Sequence, residues 1–388
     1  MKRTLSFGHP QQLGLVVAGT ALIAGTYGLV RLAYGLFLSD VQASLGLTSV
    51  QAGYVSSGAS VVYGLGAFVG LVADRRPRLV VLAALSTAAL GALAMALAPG
   101  AAMFVPAAVV SSAGAGLASP ALVGVVARNV PAARRDRAQA VVNAGTGPGL
   151  VAAGALALVL LPQWRLGFVI GAGVTALAGV LVLVLDRVRP TEVEEAETTE
   201  TAETADRSWR GMGSLRAPAV GALLLGAASA AVWTYGRAHL VAEGLGVTAS
   251  TVAWMFLGVG GTATVVTAGW QARRSPARAW LLTSSGVALS IALLGLGGGR
   301  SAVAPAACLL FGWAFVAATS ALIVWASQLV PRRAASGTAA LFIILTLGQA
   351  AGSTVVGLVA DHGGMSLAFL VAAGLAVAAA VIPATAGS

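Results

Sequence analysis

The chain has 388 residues, 58% of them hydrophobic and only 9% charged, with a mean hydropathy of +0.89. A soluble domain carries about a quarter charged residues, so a soluble enzyme or soluble binding module is excluded. The net charge of +10 does not point to nucleic acid, because the basic residues lie between apolar runs and not among stacking aromatics on a polar face.

The apolar residues fall in runs long enough to cross a hydrocarbon core of about 30 Å as helices. Short alternating segments, the mark of a membrane β-barrel, are absent from the sequence. Twelve spans are predicted. In the first half they lie at roughly 13–38, 50–72, 79–98, 102–127, 138–161 and 165–186. In the second half they lie at roughly 217–241, 250–271, 279–298, 302–328, 337–360 and 365–385. Lys2 and Arg3 before the first run superficially resemble a signal peptide. That run continues to Leu38, too long for a signal h-region, so a retained first helix is expected.

With both termini on the cytoplasmic side, nineteen of the 23 basic residues fall in cytoplasmic segments; only Arg31, Arg165, Arg237 and Arg300 do not. That asymmetry satisfies the positive-inside rule at every cytoplasmic loop. Lys2 is the only lysine, which excludes a Gly-Lys-Ser/Thr phosphate loop, so any pumping must draw on a gradient. Cys308 is the only cysteine, which excludes an intrachain disulfide and a cysteine metal cluster. No metal and no cofactor are expected.

Arg31 lies inside the first span, several residues from either end. A cation at that depth is costly and faces a cavity or a partner, or bonds to backbone carbonyls nearby. Arg237 and His239 lie in the seventh span, nearer its outer end; Arg237 is a second candidate for a polar or anionic substrate, and His239 reads as an interfacial residue. Tyr27, Tyr34, Asn143, Trp233, Tyr235 and Gln349 complete the candidate polar set. Tyr and Trp suit a pocket wall, though they also serve as ordinary helix packing or membrane anchors. No Asp or Glu lies deep within a span; proton coupling would have to use Asp40, Asp74, Glu243 or His239.

The segment from Arg187 to Arg216 is rich in Glu, Thr and Ala and has little to pack. It divides the chain into 1–186, a cytoplasmic linker over 187–216, and 217–388. The two halves carry traces of repetition: Gly46-Leu-Thr48 with Gly246-Val-Thr248, and Gly145-x-x-x-Gly149 with Gly348-x-x-x-Gly352.

The spacing of Gly70, Asp74, Arg75 and Arg78 between the second and third spans resembles the corresponding loop of major facilitator superfamily transporters. A basic counterpart without the acidic residue recurs at Gly269–Arg278. Gly145-Thr-Gly-Pro-Gly149, with Gly147-Pro148 at its centre, resembles the Gly-Pro motif of that superfamily's proton-coupled exporters. The resemblance covers nearly the whole chain outside the linker. It implies an all-α polytopic membrane protein of two six-helix bundles, with spans 1 and 7 lining a central cavity. It implies a small-molecule substrate moved by alternating access, and a latch in which Asp74 pairs with the nearby arginines. A monomer in the lipid bilayer of a bacterial plasma membrane is expected, exporting a small organic molecule with protons as the coupling ion, and no nucleic acid or enzyme activity. Uptake or facilitated transport of a polar or anionic metabolite, and a non-transporting sensor on the same scaffold, are the alternatives.

Overall fold

The computed structural model of the chain describes residues 10–72, 76–186, 213–330 and 334–385. Among these, every regular element is a helix. This is what a chain immersed in hydrocarbon must do, since only a helix satisfies its backbone groups within one segment.

The helices form twelve rods. The first, α1, covers 10–45; its middle stretch, Ala24–Leu32, is wound more widely, in the π manner, between α-helical stretches Pro10–Ile23 and Ala33–Leu45. Next come α2 (Ser49–Val72), α3 (Pro77–Leu97) and α4 (Ala101–Asn129). The fifth, α5, covers 132–160 in two pieces, Ala132–Asn143 and Thr146–Leu160, and is followed by α6 (Trp164–Leu185). The second half contains α7 (Arg216–Ala242), α8 (Val247–Ala272), α9 (Pro276–Gly297), α10 (Val303–Leu329), α11 (Ala334–Gly363) and α12 (Met365–Thr385). Ten rods are long and apolar enough to cross a membrane by length and composition, and α12 contributes a shorter apolar stretch, Met365–Val381. The remaining rod, α8, is 26 residues long. Large apolar side chains stay exposed on the rods, among them Leu90, Val159, Val184 and Leu296. In water such surfaces would aggregate; in lipid they are solvated.

Two rods differ from the single straight helices predicted. In α5 the ring of Pro148 removes the N–H that would bond the carbonyl of Ala144. That carbonyl accepts from the N–H of Gly147 instead (3.2 Å), and the chain turns at Ala144–Gly145. In α1 the wide winding spans Gly25 and Gly28, where α1 meets its neighbours closely. A Cβ on Gly28 would overlap the backbone of Gly149, and one on Gly25 would lie 3.1 Å from the Cα of Thr175.

Rod ends follow local rules. Gly46 adopts φ +69° just after α1 and its N–H bonds the carbonyl of Gln42 (2.9 Å), a turn that favours glycine. Pro77 and Pro276 open α3 and α9, where a missing N–H costs nothing.

By packing, the described residues fall into two units. One comprises 10–33, 62–72, 76–156 and 163–186; the other comprises 34–61, 157–162, 213–330 and 334–385. The core of the first is built from Leu15, Leu22, Val81, Leu122, Val142 and Val182. Buried side chains of the second include Leu225, Val232, Val287, Ile291, Phe311 and Phe369.

Each unit contains a glycine seam with the same register. In the first, a Cβ on Gly145 would overlap the carbonyl of Thr20, and one on Gly149 would lie 2.6 Å from the carbonyl of Ala24, so α5 rests directly on α1. In the second, Cβ atoms on Gly348 and Gly352 would overlap the carbonyls of Leu223 and Ala227, so α11 rests on α7. Small residues at four-residue spacing are how helices approach closely in lipid, where burial of apolar area supplies little drive. The linker predicted over 187–216 lies outside the described residues as far as 212; Arg216 already opens α7.

Candidate functional site

The wide winding of α1 carries Tyr27 and Arg31. Such local departures from the α-helix re-aim side chains and are frequent at functional sites. The guanidinium of Arg31 lies over the ring of Tyr63 in α2, 4.3 Å from its centroid. Tyr63 meets Tyr27 edge-on at 5.7 Å, and their hydroxyls are 3.0 Å apart. The Tyr27 hydroxyl also lies 3.3 Å from the hydroxyl of Ser119 in α4. All four residues belong to the first unit. Arg31 is half-buried, its Nε is buried without a hydrogen-bond partner, and among the described residues no carboxylate lies within ion-pair distance of it.

Arg237, in the second unit, is the opposite case. Its side chain is 1% exposed, and one terminal nitrogen donates to the carbonyl of Leu36 (2.7 Å), to Oγ of Ser39 (3.0 Å) and to Oδ2 of Asp40 (2.7 Å). Its charge is therefore met within the protein. Nearby, Tyr235 donates to the carbonyls of Ser49 (2.8 Å) and Ser353 (3.0 Å). Ser56, Thr234 and Ser353 form a closed ring of hydroxyls, and Ser57 bonds the Thr354 hydroxyl (2.8 Å) and the Ala350 carbonyl. Within this unit the 34–61 segment of α1 and α2 is thus tied to α7 and α11 by polar bonds. Tyr34 donates to the carbonyl of Ala52 (3.2 Å).

Trp233 sits among Trp254, Phe311 and Phe315, with ring centroids 6.5, 5.3 and 5.6 Å away. Gln349 donates to the Ser229 hydroxyl (3.3 Å). Asn143 is exposed and accepts from Gln139 (3.2 Å), beside the break in α5. The candidate polar residues therefore form two groups, Tyr27 and Arg31 in the first unit, and Tyr34, Trp233, Tyr235, Arg237 and Gln349 in the second. Asn143 stands apart from both. His239, expected at an interface, is instead buried; its Nε2 lies 3.0 Å from the Leu294 carbonyl and its ring stacks on Phe369 at 4.5 Å.

Of the predicted latch, Asp74 and Arg75 lie outside the described residues, and Gly70 falls in the last turn of α2. Arg78 donates to the carbonyls of Asp186 (3.1 Å) and Leu183 (3.2 Å) at the end of α6. The Asp186 carboxylate is fully buried and accepts from Nε and a terminal nitrogen of Arg128 and from the Asn129 amide (2.7 Å). In α5, Gly145 and Gly149 are buried in the seam, Gly147 is half-buried and Pro148 is exposed.

Sequence reasoning missed Tyr63 and Ser119, the partners of Arg31 and Tyr27. Tyr63 is one of five tyrosines and lies inside a predicted span, which was signal enough. Ser119 carries no such signal, because a serine in a helix is ordinary. Asp40 was noticed as an acidic residue near a span end, but nothing in the sequence joins it to Arg237 across some two hundred positions.

Rods of this length and apolarity, ten of them able to cross a membrane by length and composition, define a multi-pass integral membrane protein. The sequence model of the Major Facilitator Superfamily matches residues 20–353, and the chain belongs to that family. Its fold matches that of the nucleoside transporter NupG (14% identical, TM-score 0.78, 96% of this chain and 98% of that one). It also matches a bacterial homolog of the human lysosomal transporter Spinster in an inward-facing, unoccupied conformation (15%, 0.77, 98% and 97%). A D-xylose-proton symporter is similar too (15%, 0.73, 96% and 96%). At these identities the likeness is one of fold. No curated protein matches the chain in sequence.

Proposed function

We propose that the chain is a secondary carrier that moves a small organic molecule across a bacterial plasma membrane by alternating access. It works as a monomer with both termini cytoplasmic, and exports its substrate in exchange for protons. Segments 1–186 and 217–388 are its working halves, joined by the 187–216 linker, with Asp74, Arg75 and Arg78 as the latch. The observation that carries this reading is the α5 seam. Gly145 and Gly149 press on α1 at Thr20, Ala24 and Gly28, the last two within the widened turn that holds Tyr27 and Arg31. A shift of α5 therefore has a direct mechanical path to those side chains. The likeness of this stretch to the exporters' Gly-Pro motif supports export and proton coupling. A second reading, uptake of an anionic metabolite, is favoured by Arg31, which has no ion-pair partner among the described residues.

The test is reconstitution into vesicles loaded with a pH-sensitive dye and challenged with a panel of compounds. Proton movement that depends on an added compound is the expected result. Substrate flux without proton movement would move the protein to facilitated uptake. Neither flux nor proton movement across a broad panel would leave only a sensor on this scaffold.

A further inference from the structure

We propose that Arg31, Tyr27, Tyr63 and Ser119 form an anion subsite that takes the carboxylate of a small organic acid; the assignment rests on the carrier reading above. Three observations carry it.

The first is the contrast between Arg31 and other arginines in or beside the spans. Arg165 donates to the carbonyls of Ala96 (2.9 Å) and Ala98 (2.6 Å). Arg78 reaches two carbonyls at the end of α6, and Arg237 reaches a carbonyl, a hydroxyl and a carboxylate. Satisfaction is the rule for a guanidinium in a low-dielectric setting, because an unpaired cation there is strongly penalised. The Nε of both Arg31 and Arg237 is buried and unpartnered, but a terminal nitrogen of Arg237 is bonded, whereas Arg31 makes none of these bonds to the described residues. A site that keeps such a charge without a protein counter-ion is built for an anion that arrives and leaves.

The second is the contact beneath the charge. The guanidinium carbon lies over the Tyr63 ring, 4.3 Å from its centroid. A cation over a ring face is favoured electrostatically without needing an acceptor oxygen. Tyr63 therefore holds the charge in place without supplying an acceptor for the five N–H donors, whose fork matches the two oxygens of a carboxylate.

The third is the proton inventory. Tyr27, Tyr63 and Ser119 bring three hydroxyl protons, and the chain Tyr63–Tyr27–Ser119 contains two hydrogen bonds. Each bond uses one proton, so one hydroxyl donor is left to add to the guanidinium. A cationic fork and one spare O–H donor select an acceptor-only ligand with negative charge. A primary amine or an alkylammonium would meet a like charge here.

The test uses the intact purified protein and a panel of small organic acids, acetate, lactate, benzoate and succinate, each paired with its neutral amide. Binding is read as a rise in melting temperature, followed by far-UV circular dichroism on heating in detergent. The acids should stabilise the protein and the amides should not. In Arg31→Gln the apparent affinity for the acids should fall about thirtyfold or more. Arg31→Lys, which keeps the charge without the planar fork, should recover part of it. Equal responses to acid and amide, no response to any acid, or full response in Arg31→Gln would overturn the assignment. Solute counterflow in vesicles separates this from failure of the carrier reading. Amides that exchange while acids are ignored keep the carrier and remove the anion subsite. Acids that bind but do not exchange keep the subsite and remove the carrier.

Discussion

The buried pair between Arg237 and Asp40 gives the sharpest stability prediction. The guanidinium is almost completely enclosed, whereas the carboxylate keeps 15% of its surface. With charge centres about 4 Å apart and an effective dielectric of about 20, their attraction is about 4 kcal/mol. Asp40→Ala removes that attraction but leaves the cation in place, still bonded to the Leu36 carbonyl and the Ser39 hydroxyl. Those two neutral acceptors limit the damage, so the expected loss is about 2–4 kcal/mol, at the low end of and below the roughly 3–5 kcal/mol for breaking one side of a buried pair. Arg237→Met added to Asp40→Ala removes the stranded charge while keeping most of the side-chain volume. The double variant should therefore be more stable than Asp40→Ala alone by about 1–3 kcal/mol. The readout is built in: Cys308 is the only cysteine, it is buried, and it belongs to the same packing unit as the pair. A thiol-reactive dye on heating in detergent reports when that unit opens. If the double variant melts below Asp40→Ala, with the two losses simply adding, the stranded-charge argument is wrong and the pair contributes little beyond packing.

Two further substitutions probe the first unit. Gly149→Val should part α5 from α1, because even a Cβ there would lie 2.6 Å from the Ala24 carbonyl and 2.8 Å from its Cα; a loss of about 1–3 kcal/mol in far-UV circular dichroism melts and loss of flux in vesicles are expected. Asp186→Ala strands the Arg128 guanidinium and the Asn129 amide that its carboxylate now holds, and the same melts should show a loss of about 3–5 kcal/mol.

The sequence made the twelve rods legible because lipid leaves a coarse signature: long apolar runs, cations at one set of ends, and glycines four apart. It read the seams as glycine spacing but could not say which helix each would meet, since a four-residue repeat suits any close neighbour. Nor could it give the wide winding of α1, which packing decides. Gly25 and Gly28 allow it, but the reason lies in the backbone of Gly149 and in Thr175, more than a hundred residues away. The break in α5 was closer to the surface of the sequence, because Pro148 removes a donor wherever the chain is placed.

The two intramembrane arginines show most plainly where one-dimensional reading stops. Both were singled out by the same rule, that charge in a span is costly and therefore purposeful, and the rule cannot tell a cation that is already answered from one that is not. Asp40 answers Arg237 from about two turns beyond the widened stretch of α1, whereas Arg31, nine residues earlier on that rod, lies over an aromatic ring and has no ion-pair partner among the described residues. The seam register sharpens the difference. Gly145 on Thr20 and Gly348 on Leu223 align the two halves in register 203 residues apart, which makes Thr234 the sequence counterpart of Arg31 and Arg237 that of Tyr34. The duplicated scaffold thus repeats its packing but not its charges. Each of the two arginines stands in one copy only, so a charge without a counterpart is not by itself the mark of a substrate site; what distinguishes them is the bonds that each makes.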